Sequence, residues 1–291
     1  MYKKILAAID NDPSAPIIID TVLEIGRQAE VDVVHVRRNR ERAGDASDLV
    51  FSSVLRLRSG GVVATAQLLD APGEGTAEEL GKAALGFGSD LLVIGSRGHS
   101  GVGAAVFGST GTSIVAEVDI PVLIVRGPAA ADRLHNLLAG GKILVAVDGT
   151  EPTAEVVNSV ASIAPLGTAQ VVHARDFIYG EGGSWVETRD ESEKAVGAIV
   201  AGLAGRGIKA VALWPVASDS IANTIVAVAA EADVDLVVVS SRRPSVLSRL
   251  VVGSVAHKVI SLTDRPVLVA GRRTRVPVRQ AQRALAVSTA R

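Results

Sequence analysis

The segment KILAAID at residues 4–10 returns almost unchanged as KILVAVD at residues 142–148, and this repeat decides the fold. The two segments lie 138 residues apart, and VVHV at 33–36 is matched at the same distance by VVHA at 171–174. Three later matches share an offset of 145 residues: DLLVI at 90–94 with DLVVV at 235–239, GS at 108–109 with GS at 253–254, and PVLIV at 121–125 with PVLVA at 266–270. One insertion of about seven residues between the second and fourth strands explains the change of offset. Five collinear matches indicate a tandem duplication.

Each copy alternates short apolar runs with longer amphipathic segments. The short runs are rich in β-branched residues and nearly continuous, which is typical of parallel strands buried on both faces. The predicted strands are 4–9, 31–36, 62–69, 90–95 and 121–126 in copy one, and 142–147, 169–174, 208–214, 235–240 and 266–270 in copy two. The helical segments of copy one are 13–29, 44–58, 75–88 and 109–118. Asp12-Pro13 is predicted to start the first helix of copy one, and Glu151-Pro152 the first helix of copy two. The alternation predicts an α/β fold with a doubly wound parallel sheet.

The duplication sets the domain boundaries. We predict a first domain over 1–126, a second over 142–270, and a linker over 127–141 with room for one helical turn. The tail 271–291 carries six arginines and no acidic residue, so the other 270 residues hold 24 basic against 31 acidic side chains, a net charge of −7. Two interpretations of the tail stay open: a solvated segment, or one that docks on an acidic partner.

Composition excludes several classes of function. The whole chain has a net charge of −1, which gives no electrostatic bias toward nucleic acid or membranes. It contains no cysteine, so disulfides, thiolate catalysis and cysteine zinc sites are excluded. Aromatic residues are only 3%, too few for a surface that stacks nucleic acid bases. No apolar run approaches the roughly 18 residues of a membrane span, and the N-terminus does not resemble a signal peptide. We therefore expect a cytoplasmic protein.

A constellation of glycines follows the fourth strand of copy one. It reads Gly95-Ser96-Arg97-Gly98, then nine residues, then Gly108-Ser109-Thr110 at the start of a helical pattern. Glycines let backbone N–H groups approach an anion closely, and a helix N-terminus adds free donors and a positive dipole end. Ligands of open parallel sheets bind at this edge. The spacing therefore favours a phosphate site, and the alternative is a glycine-rich loop without a ligand.

Two common nucleotide motifs are absent at this place. In the stretch GAAVFGST at 103–110, Ser109 stands where a P-loop needs lysine, and the stretch follows the fourth strand. A dinucleotide fingerprint needs glycines after the first strand, and DNDP at 10–13 has none.

The spacing Gly-x2-Gly-x9-Gly-Ser, with a first strand ending in Asp and a second ending in His-Val, resembles the universal stress protein family in its tandem form. The resemblance implies a five-stranded parallel sheet flanked by helices in each domain, of the adenine-nucleotide alpha-hydrolase-like type. It also implies ATP as the ligand, with magnesium as a further candidate. The residues that it would place around the nucleotide are Asp10 at the nucleoside, Val36 at the adenine, Ile94 and Gly95 along base and ribose, and Gly98, Gly108, Ser109 and Thr110 around the phosphates. The alternative interpretation of Asp10 is a helix-capping or loop carboxylate.

The second copy departs from this pattern. Ser240 replaces Gly95, Arg243 replaces Gly98, and Pro244 follows, so that only Gly253-Ser254 and Asp148 survive. Cβ atoms at 240 and 243 would crowd a phosphate, although Arg242 and Arg243 could supply charge to one. We predict one good site in copy one and a degenerate site in copy two.

Further residues narrow the function. His35 and His173 are equivalent positions, which favours a repeated structural histidine, while His99 lies in the glycine loop. No nucleophile elbow and no base aimed at a water are evident, so we expect a regulatory nucleotide-binding protein rather than an enzyme. The alternatives are a slow ATPase or autophosphorylating enzyme using Ser109 or Thr110, and an interaction module with empty sites. The resemblance further implies an internal pseudo-dimer through the last strands, and a homo-oligomer of whole chains.

Overall fold

The computed structural model describes residues 1–37, 42–71, 75–96, 107–148, 153–180, 183–186, 190–240 and 253–271. The strands are β1 (Lys4–Ala8), β2 (Glu30–Arg37), β3 (Val63–Asp70), β4 (Leu91–Gly95), β5 (Val122–Val125), β6 (Lys142–Ala146), β7 (Thr168–Val172), β8 (Phe177–Gly180), β9 (Gly183–Val186), β10 (Lys209–Leu213), β11 (Leu236–Ser240) and β12 (Val267–Ala270). The helices are α1 (Ser14–Ile25), α2 (Ala43–Ser59), α3 (Thr76–Phe87), α4 (Ser109–Glu117), α5 (Ala130–Leu138), α6 (Thr153–Ile163), α7 (Asp190–Ala204), α8 (Ile221–Glu231) and α9 (Ser254–Leu262). The predicted α/β alternation is therefore confirmed. Helix α1 ends at Ile25 rather than near 29, because the backbone N–H of Gly26 closes the helix on the carbonyl of Val22. The start predicted at Glu151-Pro152 lies outside the described residues.

Ten strands form one continuous sheet in the order β10-β7-β6-β11-β12-β5-β4-β1-β2-β3. Each copy contributes five strands that pair in parallel, and the second copy repeats the order of the first in reverse. The copies meet where β5 pairs antiparallel with β12, with Leu123 opposite Leu268. The expected internal pseudo-dimer through the last strands is confirmed, and it satisfies backbone groups that a free edge would leave unpaired.

Helices cover both faces of this sheet. One layer of core residues lies beneath α1, α2, α5, α6 and α7, and it includes Ile18, Val54, Leu134 and Val160. The other lies beneath α3, α4, α8 and α9, and it includes Leu80 and Ile114. The strands between them read as unbroken apolar runs because both of their faces are buried. This doubly wound arrangement leaves the carboxyl ends of the strands open for a site.

Two segments distinguish the copies. The two-stranded hairpin β8–β9 lies in copy two between β7 and α7, inside the interval where the repeat offset grows by seven residues.

The linker is more structured than predicted, because α5 is nine residues long, about two and a half turns. Leu134 and Leu137 of α5 are fully buried, and the helix packs against α1. The single helical turn that we expected for the linker was therefore wrong. Two leucines spaced three apart anchor a longer helix.

Among the described residues, no helix combines the length and the apolar character that crossing a membrane would require.

Candidate functional site

A cleft opens at the carboxyl edge of the first five strands, and we call it cleft 1. It encloses about 190 Å³ between the ends of β1, β2 and β4 and the first turns of α3 and α4. Seven of the eight predicted site residues line it, and Gly98 lies outside the described residues. The seven are Asp10, Val36, Ile94, Gly95, Gly108, Ser109 and Thr110. The topology explains the convergence, because parallel strands that lie side by side end at the same edge.

The inner wall of cleft 1 is apolar. Val36 and Ile94 lie at the ends of β2 and β4 and are buried in the core layer under α3 and α4. Leu80 of α3 and Phe107, just before α4, complete the wall. Sequence reasoning missed both residues, because they lie far along the chain from the strand ends that they face. The wall offers apolar surface for a flat or aliphatic group.

The outer end of cleft 1 is the N-terminus of α4. Gly108 is the N-cap residue, and the first helical hydrogen bond is donated by the Thr112 N–H to the Gly108 carbonyl at 3.0 Å. The N–H groups of Ser109 and Thr110 precede that bond, so the helix itself does not use them. Both side chains are exposed. Free donors, hydroxyls and the positive end of the helix dipole suit an anion here.

Two carboxylates line the cleft just beyond β1. The carboxylate of Asp12 accepts hydrogen bonds from the Ser14 N–H at 2.8 Å and from the Ser14 hydroxyl, which fixes the start of α1. Pro13 is the N-cap residue, so the helix starts one residue later than the predicted Asp12-Pro13 start, and Asp12 bonds to its first residue from the position before the cap. The Asp10 carboxylate accepts from the Asn11 N–H at 2.9 Å, and about half of its side chain is exposed. Asp10 thus combines a local bond with access to the cleft.

In each copy, a buried histidine bonds to the residue that follows the first strand, β1 or β6. His35 Nδ1 lies 2.9 Å from the carbonyl oxygen of Ile9, and His173 Nδ1 lies 3.1 Å from that of Val147. Both side chains are buried, and each bond spans 26 residues. The prediction of a repeated structural histidine is confirmed. In cleft 1, His35 Nδ1 also lies 4.0 Å from the Asp10 carboxylate, so it helps to place that carboxylate.

The two described glycines of the motif serve different purposes. A Cβ at Gly95 would lie 2.4 Å from Ser14 Cβ and 2.3 Å from its hydroxyl oxygen, so glycine here lets α1 approach β4. In the part of the chain that the structure describes, a Cβ at Gly108 would meet no atom within 4 Å apart from those of its chain neighbours. Packing therefore demands glycine at 95. At 108 the fold itself would accept a side chain, and the space in front of the residue belongs to the cleft.

Thr76, the first residue of α3, lines cleft 1 and was missed by sequence reasoning. Its hydroxyl oxygen is buried and has no hydrogen-bond partner among the described residues, although the residue as a whole is partly exposed. Buried hydroxyls are normally paired, so this one stands out. Aligning the copies at the 145-residue offset could have found it, because Ile221 occupies the same position in copy two.

The equivalent cleft of copy two, cleft 2, encloses about 290 Å³ and is lined by Asp148, His173, Ser240, Gly253 and Ser254 among others. The start of α9 matches that of α4, since the His257 N–H donates to the Gly253 carbonyl at 2.9 Å. Arg242, Arg243 and Pro244, on which the predicted degeneracy partly rests, lie outside the described residues. Cleft 2 thus keeps the helix N-terminus and replaces Gly95 and Thr76 with Ser240 and Ile221.

No group of three or more His, Cys, Asp or Glu side chains is placed to hold a metal ion in the part of the chain that the structure describes.

The fold and the cleft define a tandem α/β protein with one ligand-type cleft in each half, and the comparisons give its family. The profile of the Universal stress protein family matches residues 1–126 and 141–271, so the chain belongs to that family. A Thermus aquaticus protein named "Universal stress protein in QAH/OAS sulfhydrylase 3'region" is 46% identical over 50 residues. That match spans 17% of this chain and 36% of the Thermus protein.

Solved structures share the two-domain fold. A universal stress protein from Archaeoglobus fulgidus DSM 4304 has a TM-score of 0.72 at 17% identity, over 93% of this chain and 98% of its own. A functionally unknown protein from Pseudomonas aeruginosa PAO1 has a TM-score of 0.65 at 17% identity, over 100% and 98%. A shorter universal stress protein from Archaeoglobus fulgidus, solved in complex with dAMP, is 26% identical over 44% of this chain and 94% of its own, with a TM-score of 0.34. A likeness at that score does not locate a ligand in this chain.

Proposed function

We propose that the protein binds ATP in cleft 1 and acts as a regulatory nucleotide-binding protein of the stress response. The proposal rests on one observation: cleft 1 combines an apolar wall with the N-terminus of helix α4. The helix does not use the N–H groups of its first residues for its own hydrogen bonds. A nucleotide is a flat apolar base joined to an anion, so the two ends of the cleft match the two ends of the ligand.

The base and ribose fit the inner end. Val36 and Ile94 present buried aliphatic surface beside Phe107, and this apolar wall suits the faces of an adenine ring. The half-exposed carboxylate of Asp10 is an acceptor that a ribose hydroxyl can use. This placement agrees with the roles that the family resemblance implies for Asp10, Val36 and Ile94.

The phosphates fit the outer end. The N–H groups and hydroxyls of Ser109 and Thr110 are donors, and the open space beside Gly108 admits a phosphate close to the backbone. Gly98 would complete this end. Since the described residues hold no cluster of three metal-binding side chains, any magnesium ion would be held mainly by the phosphates.

Binding without turnover is the better supported activity. Of the groups in cleft 1 that could act as a base, Asp12 accepts from Ser14, and His35 Nδ1 pairs with the carbonyl of Ile9. Asp10 is placed by the proposal at the ribose, away from the phosphates. A general base needs a free position within reach of the attacking water. We therefore propose that the bound state, rather than a product, carries the signal.

A substitution at Gly108 tests the proposal sharply. Gly108→Asp places a carboxylate at the N-cap, where Asp is favoured, with backbone angles of φ −71° and ψ 166° that any residue adopts. The variant should fold at least as stably as the wild type and lose ATP binding, because its charge and bulk occupy the phosphate position. The measurement is equilibrium dialysis of labelled ATP against the full-length chain.

The matched control is Gly253→Asp, at the N-cap of α9 in cleft 2. It should leave ATP binding unchanged, because we place the nucleotide in cleft 1. ATP retained by Gly108→Asp, or lost in Gly253→Asp alone, would move the site away from cleft 1.

We further propose a cytoplasmic homo-oligomer. Because β5 and β12 already pair with each other within the chain, two chains must associate through another surface. Light scattering of the purified chain would give a mass above that of the monomer, and a monomer at all concentrations would contradict this part of the proposal.

A further inference from the structure

One arginine connects cleft 1 to the other copy. Arg126 directly follows β5, and its Nε donates to the hydroxyl oxygen of Ser96 at 2.7 Å. Ser96 follows Gly95 at the end of β4 and lines cleft 1. The terminal nitrogens of Arg126 donate to three backbone carbonyls near the end of α9, those of Ile260 at 2.8 Å, Ser261 at 3.0 Å and Thr263 at 3.1 Å.

The chemistry of this bridge is specific to arginine. The last carbonyls of a helix lack partners within the helix and form the negative end of its dipole, so a cation is stabilised there. The planar guanidinium has five donors in a fixed fork and can serve Ser96 and the helix end together. Partial burial lowers the pKa of Arg126 and the nearby Asp264 raises it, but an arginine stays protonated in proteins.

The same helix contacts cleft 1 at a second point. His257 of α9 lies edge-on to the ring of Phe107, with 6.0 Å between the ring centroids and 63° between the planes. Phe107 is buried, lines cleft 1 and directly precedes Gly108. Helix α9 therefore contacts the residue after Gly95 through Arg126 and the residue before Gly108 directly.

Two of the residues that make these contacts have no counterpart in the other copy. At the 145-residue offset, Gly271 stands where copy one has Arg126, and Thr112 stands where copy two has His257. A Cβ at Gly271 would lie 2.1–2.4 Å from atoms of Ile120 and Pro121, so this position packs closely against copy one. Gly271 has no side chain with which to hold cleft 2 as Arg126 holds cleft 1.

We propose that Arg126 is a positioning residue for nucleotide binding, and that helix α9 of domain 2 holds cleft 1 in its binding geometry through Arg126 and Phe107. The inference rests on the proposed function. It gives domain 2 a role that does not require cleft 2 to bind any ligand: domain 2 is part of the scaffold of the site in domain 1.

The test compares two arginines in the full-length chain. Arg126→Gln removes the fork and the charge, and it should weaken ATP binding at least tenfold at a temperature where every variant is folded. The control is Arg133→Gln. Arg133 of the linker helix α5 also bonds to copy two, to the Val234 carbonyl at 3.1 Å and to Asp233, and neither partner lines cleft 1. Arg133→Gln should bind ATP like the wild type.

A second comparison separates positioning from a general loss of stability. If Arg126 acts through Ser96, then Ser96→Ala should weaken binding and the double variant should bind no more weakly than Arg126→Gln alone. Wild-type affinity in Arg126→Gln, equal losses in the two arginine variants, or additive losses in the double variant would each overturn the proposal.

Failure of the proposed function has a different signature, because the wild type would then bind no ATP. The positioning role is still measurable in that case by hydrogen exchange of the Ser96 N–H, which donates to the Val125 carbonyl at 2.9 Å. Faster exchange at Ser96 in Arg126→Gln, and not in Arg133→Gln, supports the positioning role. Equal exchange in the two variants contradicts it.

Discussion

Clefts 1 and 2 lie at equivalent places in two copies of one domain, but only part of their lining is the same. Both keep an aspartate after the first strand, a buried histidine bonded to the carbonyl before that aspartate, and a Gly-Ser start to the last helix. These features hold the strand ends and the helix in place. The comparison shows that the scaffold of a site can persist in a copy whose contacts have changed.

The differences lie on the walls of the clefts. Ser240 replaces Gly95, and Ile221 replaces the threonine whose hydroxyl is unpaired in cleft 1. Gly271 replaces Arg126, so cleft 2 lacks the arginine that bonds to Ser96 in cleft 1. Exchanging residues between the copies is therefore the direct way to test whether these differences decide binding.

Among the changes that test the differences between the copies, the largest effect is expected from Gly95→Ser, which gives copy one the residue of copy two. The new Cβ would overlap Ser14, so α1 must shift, at a cost of about 1–3 kcal/mol in the free energy of unfolding. ATP affinity should fall by a factor on the order of one hundred, because Asp12, which lines cleft 1, is bonded to Ser14 at the start of α1 and would shift with the helix. Urea unfolding and equilibrium dialysis measure the two effects.

The reciprocal change, Ser240→Gly, is the control. It should not create an ATP site in cleft 2, because Ile221 and Gly271 remain unchanged. A Gly95→Ser variant that binds ATP like the wild type would show that this glycine does not separate the two clefts.

Thr76→Val should have a smaller effect, in which the stability rises and the ATP affinity falls. Replacing a buried, unpaired hydroxyl by a methyl should raise the free energy of unfolding by roughly 1 kcal/mol. ATP affinity should fall a fewfold, because a side-chain rotation would turn the hydroxyl toward the ligand. Thr21→Val is the matched control: its hydroxyl is also buried and unpaired, but Thr21 lines neither cleft. It should stabilise the protein without changing the affinity, and the same result for Thr76→Val would remove Thr76 from the site.

The smallest effect concerns the contact between the copies at Tyr2, whose equivalent is Gly140. The Tyr2 hydroxyl donates to the Ser159 carbonyl at 3.2 Å. Burial, helped by Asp90, raises the pKa of the Tyr2 phenol well above its ordinary value. The neutral phenol therefore contributes stability below the unfolded pKa of about 10, and that contribution is lost as the pH rises further. Tyr2→Phe should make the loss of stability between pH 9 and 11 shallower in urea titrations, whereas an unchanged slope would exclude Tyr2 as its source.

Much of the fold could be predicted from the sequence, because the repeat offsets align strands that read as apolar runs. The same offsets predicted an insertion in the interval where the hairpin β8–β9 lies, although not its structure. The pairing of β5 with β12 agrees with the family resemblance. The linker helix was underestimated, because its helix is anchored by tertiary contacts of Leu134 and Leu137 that a local reading of 127–141 does not contain.

The site could be predicted only in part, for a physical reason. Motif spacing identified residues at the ends of strands and at a helix start, which converge because the strands are parallel. It did not identify Thr76, Phe107 or Arg126, whose roles come from contacts between elements far apart in the chain. Nor did it show the packing reason for glycine at 95, where a Cβ would meet the side chain of Ser14 in α1.

The central claim is that the two copies are unequal and that one of them binds ATP. Native mass spectrometry of the gently purified full-length chain tests this most directly, because it counts the nucleotides bound to each chain. The account predicts one adenine nucleotide per chain, absent from Gly108→Asp and retained by Gly253→Asp. Two nucleotides per chain, or none in the presence of excess ATP, would contradict it.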